Sequence, residues 1–346
     1  MLLEENKELA PFTTFGIGGP ARWFVEGRSE TDVVQAAAWA RERGLPLFVL
    51  GGGSNLLVSD AGFNGLVLRL GLGGIEVEDA GAGNAVFRVA AGEDWDEFVQ
   101  RAVNAHCAGI ECLAGIPGTV GGTPVQNVGA YGQEVCSVID RVRVIGLHDG
   151  RCLEFGGAEC GFAYRKSRFN TTDRGRFVVT RVDYRLKRGG APTLRYADLQ
   201  RAFPAGSLPT LATVAEEVRR IRRTKGMLLV EGDPDCRSAG SFFKNPIVDE
   251  EQAARIASAA GKEPPRFPGG MDGLVKVPAA WLIEQAGFAK GFAMGAAGIS
   301  SRHTLALINR GGATASDVIA LAERISDAVE ARFGVRLERE PVLLGF

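Results

Sequence analysis

Histidine is scarce in this 346-residue chain, which holds only His106, His148 and His303. The six cysteines stand at 107, 112, 136, 152, 160 and 236, and no two of them form a C-x-x-C pair. Together these absences exclude a zinc-binding signature. The cysteines read as buried free thiols of a reducing compartment. Charge of one sign is missing too. Lys and Arg number 40 against 41 Asp and Glu, and the formal net charge of −1 gives no bulk attraction to nucleic acid or to an anionic membrane. No apolar run reaches the roughly 18 residues needed to cross a bilayer. The opening stretch, MLLEENKELAPF, is acidic and lacks the basic n-region of a signal peptide, so a cytoplasmic protein is expected. A hydrophobic content of 45% over this length suffices for two or three domains.

Glycine is abundant, at 47 residues, and it gathers in 16–19, 51–53, 115–132 and 238–240, which marks loops rather than low complexity. Between the loops the pattern is mixed. A helix is predicted over 29–44, with Ser29 able to cap it, Asp32 in its first turn and Gly44 at its end. LPLFVL (45–50), NLLVSD (55–60) and GLVLRL (65–70) read as strands. Residues 94–106 read as a helix, and 137–147 and 176–187 alternate as strands. Further helices are predicted over 212–224, 249–260, 278–286 (with Pro278 at the first position) and 316–333, and a last strand over 335–345.

Three segments carry chemistry. VLGGGSNLLVSD (49–60) can expose successive backbone N–H groups as an anion-binding nest. It runs from strand to strand, so it is neither a dinucleotide fingerprint nor a P-loop. AGIPGTVGGTPVQNVGAYGQE (114–134) is so free of bulk that something must approach its backbone. Pyrophosphates and isoalloxazine rings are held in this way, which suggests an extended cofactor lying between two lobes. RSAGSFFKNP (237–246) sets Ser241 after a glycine, wedges it against two Phe and continues with the donors Lys244 and Asn245.

These motifs, in order with NKELAPFTTFGIGGPA, CGFAYRKSRF and LEREPVLLG, resemble the UDP-N-acetylenolpyruvoylglucosamine reductase family nearly end to end. PVQNVGAYG, together with LRYADL, is similar to the subgroup with a tyrosine-bearing substrate loop. The resemblance implies an α+β fold: a two-lobed FAD-binding module of the vanillyl-alcohol-oxidase/PCMH type plus a C-terminal α/β substrate-binding domain. The expected boundaries are 1–65 and 66–210 for the flavin lobes, 211–334 for the substrate domain, and 335–346 for a strand carrying a catalytic Glu. It implies non-covalent FAD, NADPH as hydride donor, and reduction of UDP-N-acetylglucosamine enolpyruvate to UDP-N-acetylmuramate for peptidoglycan. A monomer without nucleic-acid or membrane partners is expected.

Carried over by motif, Gly51, Gly52, Gly53, Ser54 and Asn55 are flavin contacts, as are Ile116, Pro117, Gly118, Gly129 and Ala130. Arg165 matches the catalytic arginine, Ser241 the proton donor and Glu340 the catalytic glutamate. Tyr196, Lys225 and Asn245 match substrate-binding positions. The link GMLLVEGDPDCR (226–237) is longer than the family's usual one, and the three His are read as structural. Two other readings stay open at this point. One is an FAD-linked sugar or alcohol oxidase, although the 51–55 loop holds Ser54 and no His for flavin attachment. The other is a non-catalytic nucleotide-binding module.

Overall fold

The computed structural model describes residues 1–346. Its internal contacts form two units that interleave along the chain. One comprises Met1–Lys7, Ala21–Gly52 and Asn64–Arg223; the other comprises Glu8–Pro20, Gly53–Phe63 and Thr224–Phe346. The Leu211–Thr224 helix, which the sequence reading groups with the C-terminal domain, thus lies almost wholly in the first unit. Its apolar stripe of Val214, Val218 and Ile221 is buried in that unit's core.

The first unit holds two larger sheets and a two-stranded hairpin. A four-stranded one is ordered Leu3–Glu8, Pro20–Gly27, Phe63–Leu70, Leu47–Leu50, with the last two strands parallel. The Glu30–Glu42 helix starts at a capping box in which Ser29 and Asp32 satisfy each other's backbone N–H. The six-stranded sheet runs Cys152–Gly156, Ile139–Gly146, Phe177–Arg188, Asn84–Ala90, Ile75–Gly81, with Cys107–Ala108 added to the long central strand. On that central strand Val178, Thr180, Val182, Tyr184 and Leu186 are buried on one face, as the period-two pattern requires. The Trp95–Asn104 helix lays Trp95 and Phe98 onto Tyr184, with ring centroids 5.8 and 5.0 Å away. Each of these buried rings contributes roughly 1.5–3 kcal/mol.

In the second unit the Ala315–Phe333 helix opens with a Thr314–Asp317 capping box and stops at Gly334, whose φ is 65°. Asp60 adds a second cap, accepting from Ala315 N at 2.6 Å and Ser316 N at 3.0 Å. Pro278 is the N-cap of the Ala279–Gln285 helix rather than its first residue. The expected terminal strand over 335–345 is shorter: only Val342–Leu344 is a strand, parallel to Leu56–Val58. Residues 335–341 keep the alternation, with Val335 and Leu337 buried. Their neighbour across the ladder is the irregular 242–244 segment, however, so the pairing there is reduced to one isolated bridge, Phe243 with Arg339.

Tyr184 ties the first unit's core to the second glycine-rich loop. Thr123 Oγ1 donates to Val120 O, and Tyr184 Oη donates to Thr123 Oγ1 at 2.6 Å. Tyr184→Phe removes that bond inside a fully buried site. It is expected to lower unfolding stability by about 1–2 kcal/mol, read as a shifted urea midpoint. An unchanged midpoint would show that the bond holds nothing.

Candidate functional site

In the first unit the two glycine-rich loops meet main chain to main chain. A Cβ on Gly52 would stand 2.6 Å from Gly118 Cα, and one on Gly51 would stand 2.7 Å from Thr119 Oγ1. Thr119 Oγ1 is buried and has no hydrogen-bond partner within the protein. A buried hydroxyl in that state is costly unless a ligand satisfies it. The second loop is gripped from outside. Trp95 N donates to Gly118 O, Gly115 N donates to Asp96 Oδ1 at 2.6 Å, and Asp96 is paired with Arg219 at 2.7 Å. Arg222 Nε donates to Gly115 O at 2.8 Å. Arg222 is buried, and burial pulls its pKa below the usual arginine value against the opposing effect of Tyr131, to which it is hydrogen-bonded. Such a bare polar cradle with a buried cation suits a large, flat, anionic cofactor such as FAD.

Around this cradle the backbone adopts left-handed conformations at residues that avoid them. Gly129–Ala130 and Gln133–Glu134 form a hairpin whose two turn residues, Tyr131 and Gly132, both have positive φ, as a type I′ turn demands. Tyr131 stacks edge-on against Tyr196, with centroids 5.2 Å apart, while Tyr196 itself is 41% exposed. Arg165 has φ 56° and sends Nη1 to Gly129 O at 3.0 Å. A non-glycine residue held so costs roughly 1–3 kcal/mol and persists only where its surroundings dictate it. Glu111, fully buried, accepts from Gly109 N, Gln133 Nε2 and Thr193 N, each at 2.8 Å, and so fixes the stem of the segment that carries Tyr196.

The second unit assembles a different group. Gly240 has φ 70° with open space where its Cβ would be, so the turn before Ser241 needs glycine for conformation, not for room. Phe242 and Phe243 are fully buried beyond it. Residues 242–244 then pair with 338–340: Glu340 N donates to Phe242 O and Lys244 N to Glu338 O, both at 2.9 Å. The same Glu340 offers its carbonyl to Asn55 Nδ2 at 3.3 Å, and Val342 N donates to Asn55 O. Ser241, Glu340 and Asn55 are thereby tied to one another through the backbone. Asn245 Oδ1 accepts from Ala279 N at 2.9 Å, capping the helix that begins there. Thr14 Oγ1 secures Ser238 O at 2.5 Å.

Two lysines of the same unit act on a neutral histidine. His303, half-buried, has its pKa lowered to about 4 by burial first and then by the charges of Lys225 and Lys290, so the three lie within one electrostatic neighbourhood. The sequence reading finds Lys225 but takes His303 as structural and passes over Lys290; neither sits in a recognisable motif. Arg222 escapes it because helix periodicity alone marks that position as one more basic residue. The long 226–237 link is compact. Asp235 accepts from Ser301 Oγ at 2.7 Å, and Arg302 bridges Asp233 at 2.8 Å and Asp235 at 3.2 Å. Arg165 and Tyr196 belong to the first unit, and Ser241, Glu340, Lys225 and Asn245 to the second.

Known proteins resemble the chain along its whole length. Residues 21–156 match the family described as FAD binding domain, and 233–344 match UDP-N-acetylenolpyruvoylglucosamine reductase, C-terminal domain. A UDP-N-acetylenolpyruvoylglucosamine reductase of Thermobifida fusca is 45% identical over 98% of this chain and 97% of its own length. One from Streptomyces coelicolor is 46% identical over 97% of this chain and 89% of its own. Among solved structures, the UDP-N-acetylenolpyruvylglucosamine reductase of Thermus caldophilus has a TM-score of 0.68 at 29% identity, covering 99% of this chain and all of that one.

Two outcomes are expected. Gly52→Ala forces a Cβ against backbone at Gly118 and should cut the flavin that copurifies with the protein, measured by visible absorbance; full occupancy would show that the cradle tolerates a side chain. For His303, the folded-state pKa of about 4 lies below the ordinary value of 6.5, so the unfolded chain binds the proton more readily. Stability should therefore fall as pH drops from 6.5 towards 4. His303→Gln should flatten that limb of a plot of urea midpoint against pH, and an unaltered slope would contradict the assignment.

Proposed function

Because the chain belongs to the UDP-N-acetylenolpyruvoylglucosamine reductase family, we infer that it catalyses the reduction of the enolpyruvyl group of UDP-N-acetylglucosamine enolpyruvate, giving UDP-N-acetylmuramate for peptidoglycan synthesis. It is an FAD-containing, NADPH-dependent oxidoreductase. The observation that carries this reading is similarity at full length: 45% identity to the Thermobifida fusca reductase over 98% of the chain. It supports this reaction over the sugar or alcohol oxidase reading. The reading extends to a cytoplasmic monomer with no nucleic-acid or membrane partner; a net charge of −1 supports the exclusion of nucleic acid.

The bare backbone of 51–55 and of 115–119, with Gly129 and Ala130, would hold the flavin without a covalent bond. When bound there and reduced by NADPH, FAD would supply hydride chemistry towards the β-carbon of the enol ether. What remains for the protein is the charge and the proton. Addition at the β-carbon leaves an enolate conjugated with the substrate carboxylate. Arg165, permanently charged and able to make two parallel bonds, suits that carboxylate. Glu340 in its acid form would donate a hydrogen bond to the same enolate. The Ser241 hydroxyl would deliver the proton to the α-carbon, and its place in the backbone network shared with Glu340 supports a joint role. Preorganised charge at the enolate is where most of the acceleration should arise. Lys225, with Lys290 and His303 in its neighbourhood, would take the diphosphate; Asn245 and Tyr196 would hold the rest of the nucleotide sugar.

Ser241 separates the two halves of the reaction. Ser241→Ala should leave reduction of the flavin by NADPH near the parent rate. Reoxidation by the sugar nucleotide should slow by at least roughly 10²-fold, with partial recovery in Ser241→Cys. Stopped-flow absorbance reads each half. Equal slowing of both halves, or of neither, would defeat the proton-donor assignment.

A further inference from the structure

Arg165 occupies a two-residue turn. Ala163 and Lys166 exchange both backbone hydrogen bonds, each 3.0 Å, across Tyr164 and Arg165. The position with positive φ in such a turn ordinarily goes to Gly or Asn. Here it is Arg165, at φ 56°. Two asparagines hold the turn at its ends. Asn127 Nδ2 donates to Ala163 O at 3.1 Å, and Asn170 Nδ2 donates to Arg165 O at 3.1 Å. Asn170 has a second task at its other atom: Oδ1 accepts from Ser167 N at 2.9 Å, closing the capping box of the short Arg168–Asn170 turn. Ser167 Oγ in turn donates to Val125 O at 2.6 Å, anchoring the segment on the second glycine-rich loop. From this frame the guanidinium reaches Gly129 O, on the same loop.

We propose that Asn170 is a positioning residue for the reduction: its side-chain amide, by holding the carbonyl of Arg165, fixes the left-handed backbone that aims the guanidinium along the glycine-rich loop. This rests on the catalytic role inferred for Arg165. The bond has a direction that makes it separable from mere folding. In Asn170→Asp the oxygen that caps Ser167 N remains, while the donor towards Arg165 O is replaced by a second acceptor that repels it. With that hold gone, the left-handed backbone of Arg165 keeps only the paired bonds of the turn, and its head group is expected to shift. Small misplacements of a catalytic group are costly: about 1 Å can cost about 10²-fold.

The test compares Asn170→Asp, Asn170→Ala, Arg165→Ala and the double variant Arg165→Ala with Asn170→Asp. The expected result for Asn170→Asp is parental flavin content, parental reduction by NADPH, and reoxidation by the sugar nucleotide slowed by roughly 10–10²-fold. Asn170→Ala should slow the same step without the repulsion. In the Arg165→Ala background, Asn170→Asp should add nothing, because there is no guanidinium left to aim. Parental reoxidation in Asn170→Asp, additive losses in the double variant, or flavin lost from Asn170→Asp would each overturn the proposal. If Arg165→Ala alone leaves reoxidation intact, it is the assignment of Arg165 that fails, and the positioning role goes with it.

Discussion

The face of the main chain at Gly52 lies so close to Gly118 that a Cβ on Gly52 would stand 2.6 Å from Gly118 Cα. Much of the first unit is arranged to support it. The loop packs Val120 and Tyr131 into the unit's core, and polar anchors fix the glycine stretches that have nothing to pack. Asp96 and Arg222 take the N–H and the C=O of Gly115, Trp95 N takes Gly118 O, and Tyr184 reaches Thr123 through the core. Each anchor sits on a regular element, the Trp95–Asn104 helix, the Leu211–Thr224 helix or the Phe177–Arg188 strand. Rigid scaffolding thus fixes the glycine stretches between the loop's own turn and hairpin. Leaving Thr119 Oγ1 buried and unsatisfied is consistent with a loop built for a ligand rather than for stability.

The second unit solves a related problem with hydrogen bonds between irregular segments. Around Ser241 the chain is neither helix nor strand, and its main-chain groups are satisfied one at a time: Phe242 N by Leu305 O, Lys244 N by Glu338 O, and Phe242 O by Glu340 N. Asn55 and Thr14 supply side-chain partners where the ladder lapses. The result of such a patchwork is that the candidate residues Asn55, Ser241 and Glu340, from distant parts of the sequence, share one backbone frame.

How legible all this is in the sequence depends on the range of the forces involved. Helices with a local start signal are readable: Ser29 with Asp32, and a run of periodic apolar residues ending at Gly334, are short-range facts. Glycine-rich loops are readable because composition reports them directly. The shortened strand after residue 335 is not, because its partner is irregular and pairing is a property of two segments. The Leu211–Thr224 helix shows its buried face but not the core that receives it. Candidate residues come out by motif, whereas Arg222, Lys290 and His303 carry no motif, and only the fold shows what stands near them: Gly115 O beside Arg222, and Lys225 and Lys290 beside His303. Arg165 is named from its pattern, but nothing in the letters announces that its backbone is left-handed.

The interleaving of the two units has a consequence for how the protein is made. All segments of the unit that ends at Arg223 leave the ribosome before most of the other unit exists. Residues 8–20 and 53–63 are synthesised early, yet they belong with Thr224–Phe346. Phe15, Ile17 and Leu57, fully or almost fully buried among residues such as Phe242, Leu307 and Leu321 in the finished molecule, have no such neighbours until translation has passed them. For that interval two short apolar stretches lack the core residues that cover them in the finished molecule. Late-arriving contacts of high sequence separation are slow to form and expose sticky surface meanwhile. The burial of those two stretches is therefore completed only after the last segment is made, an order that a protein built from contiguous domains does not impose.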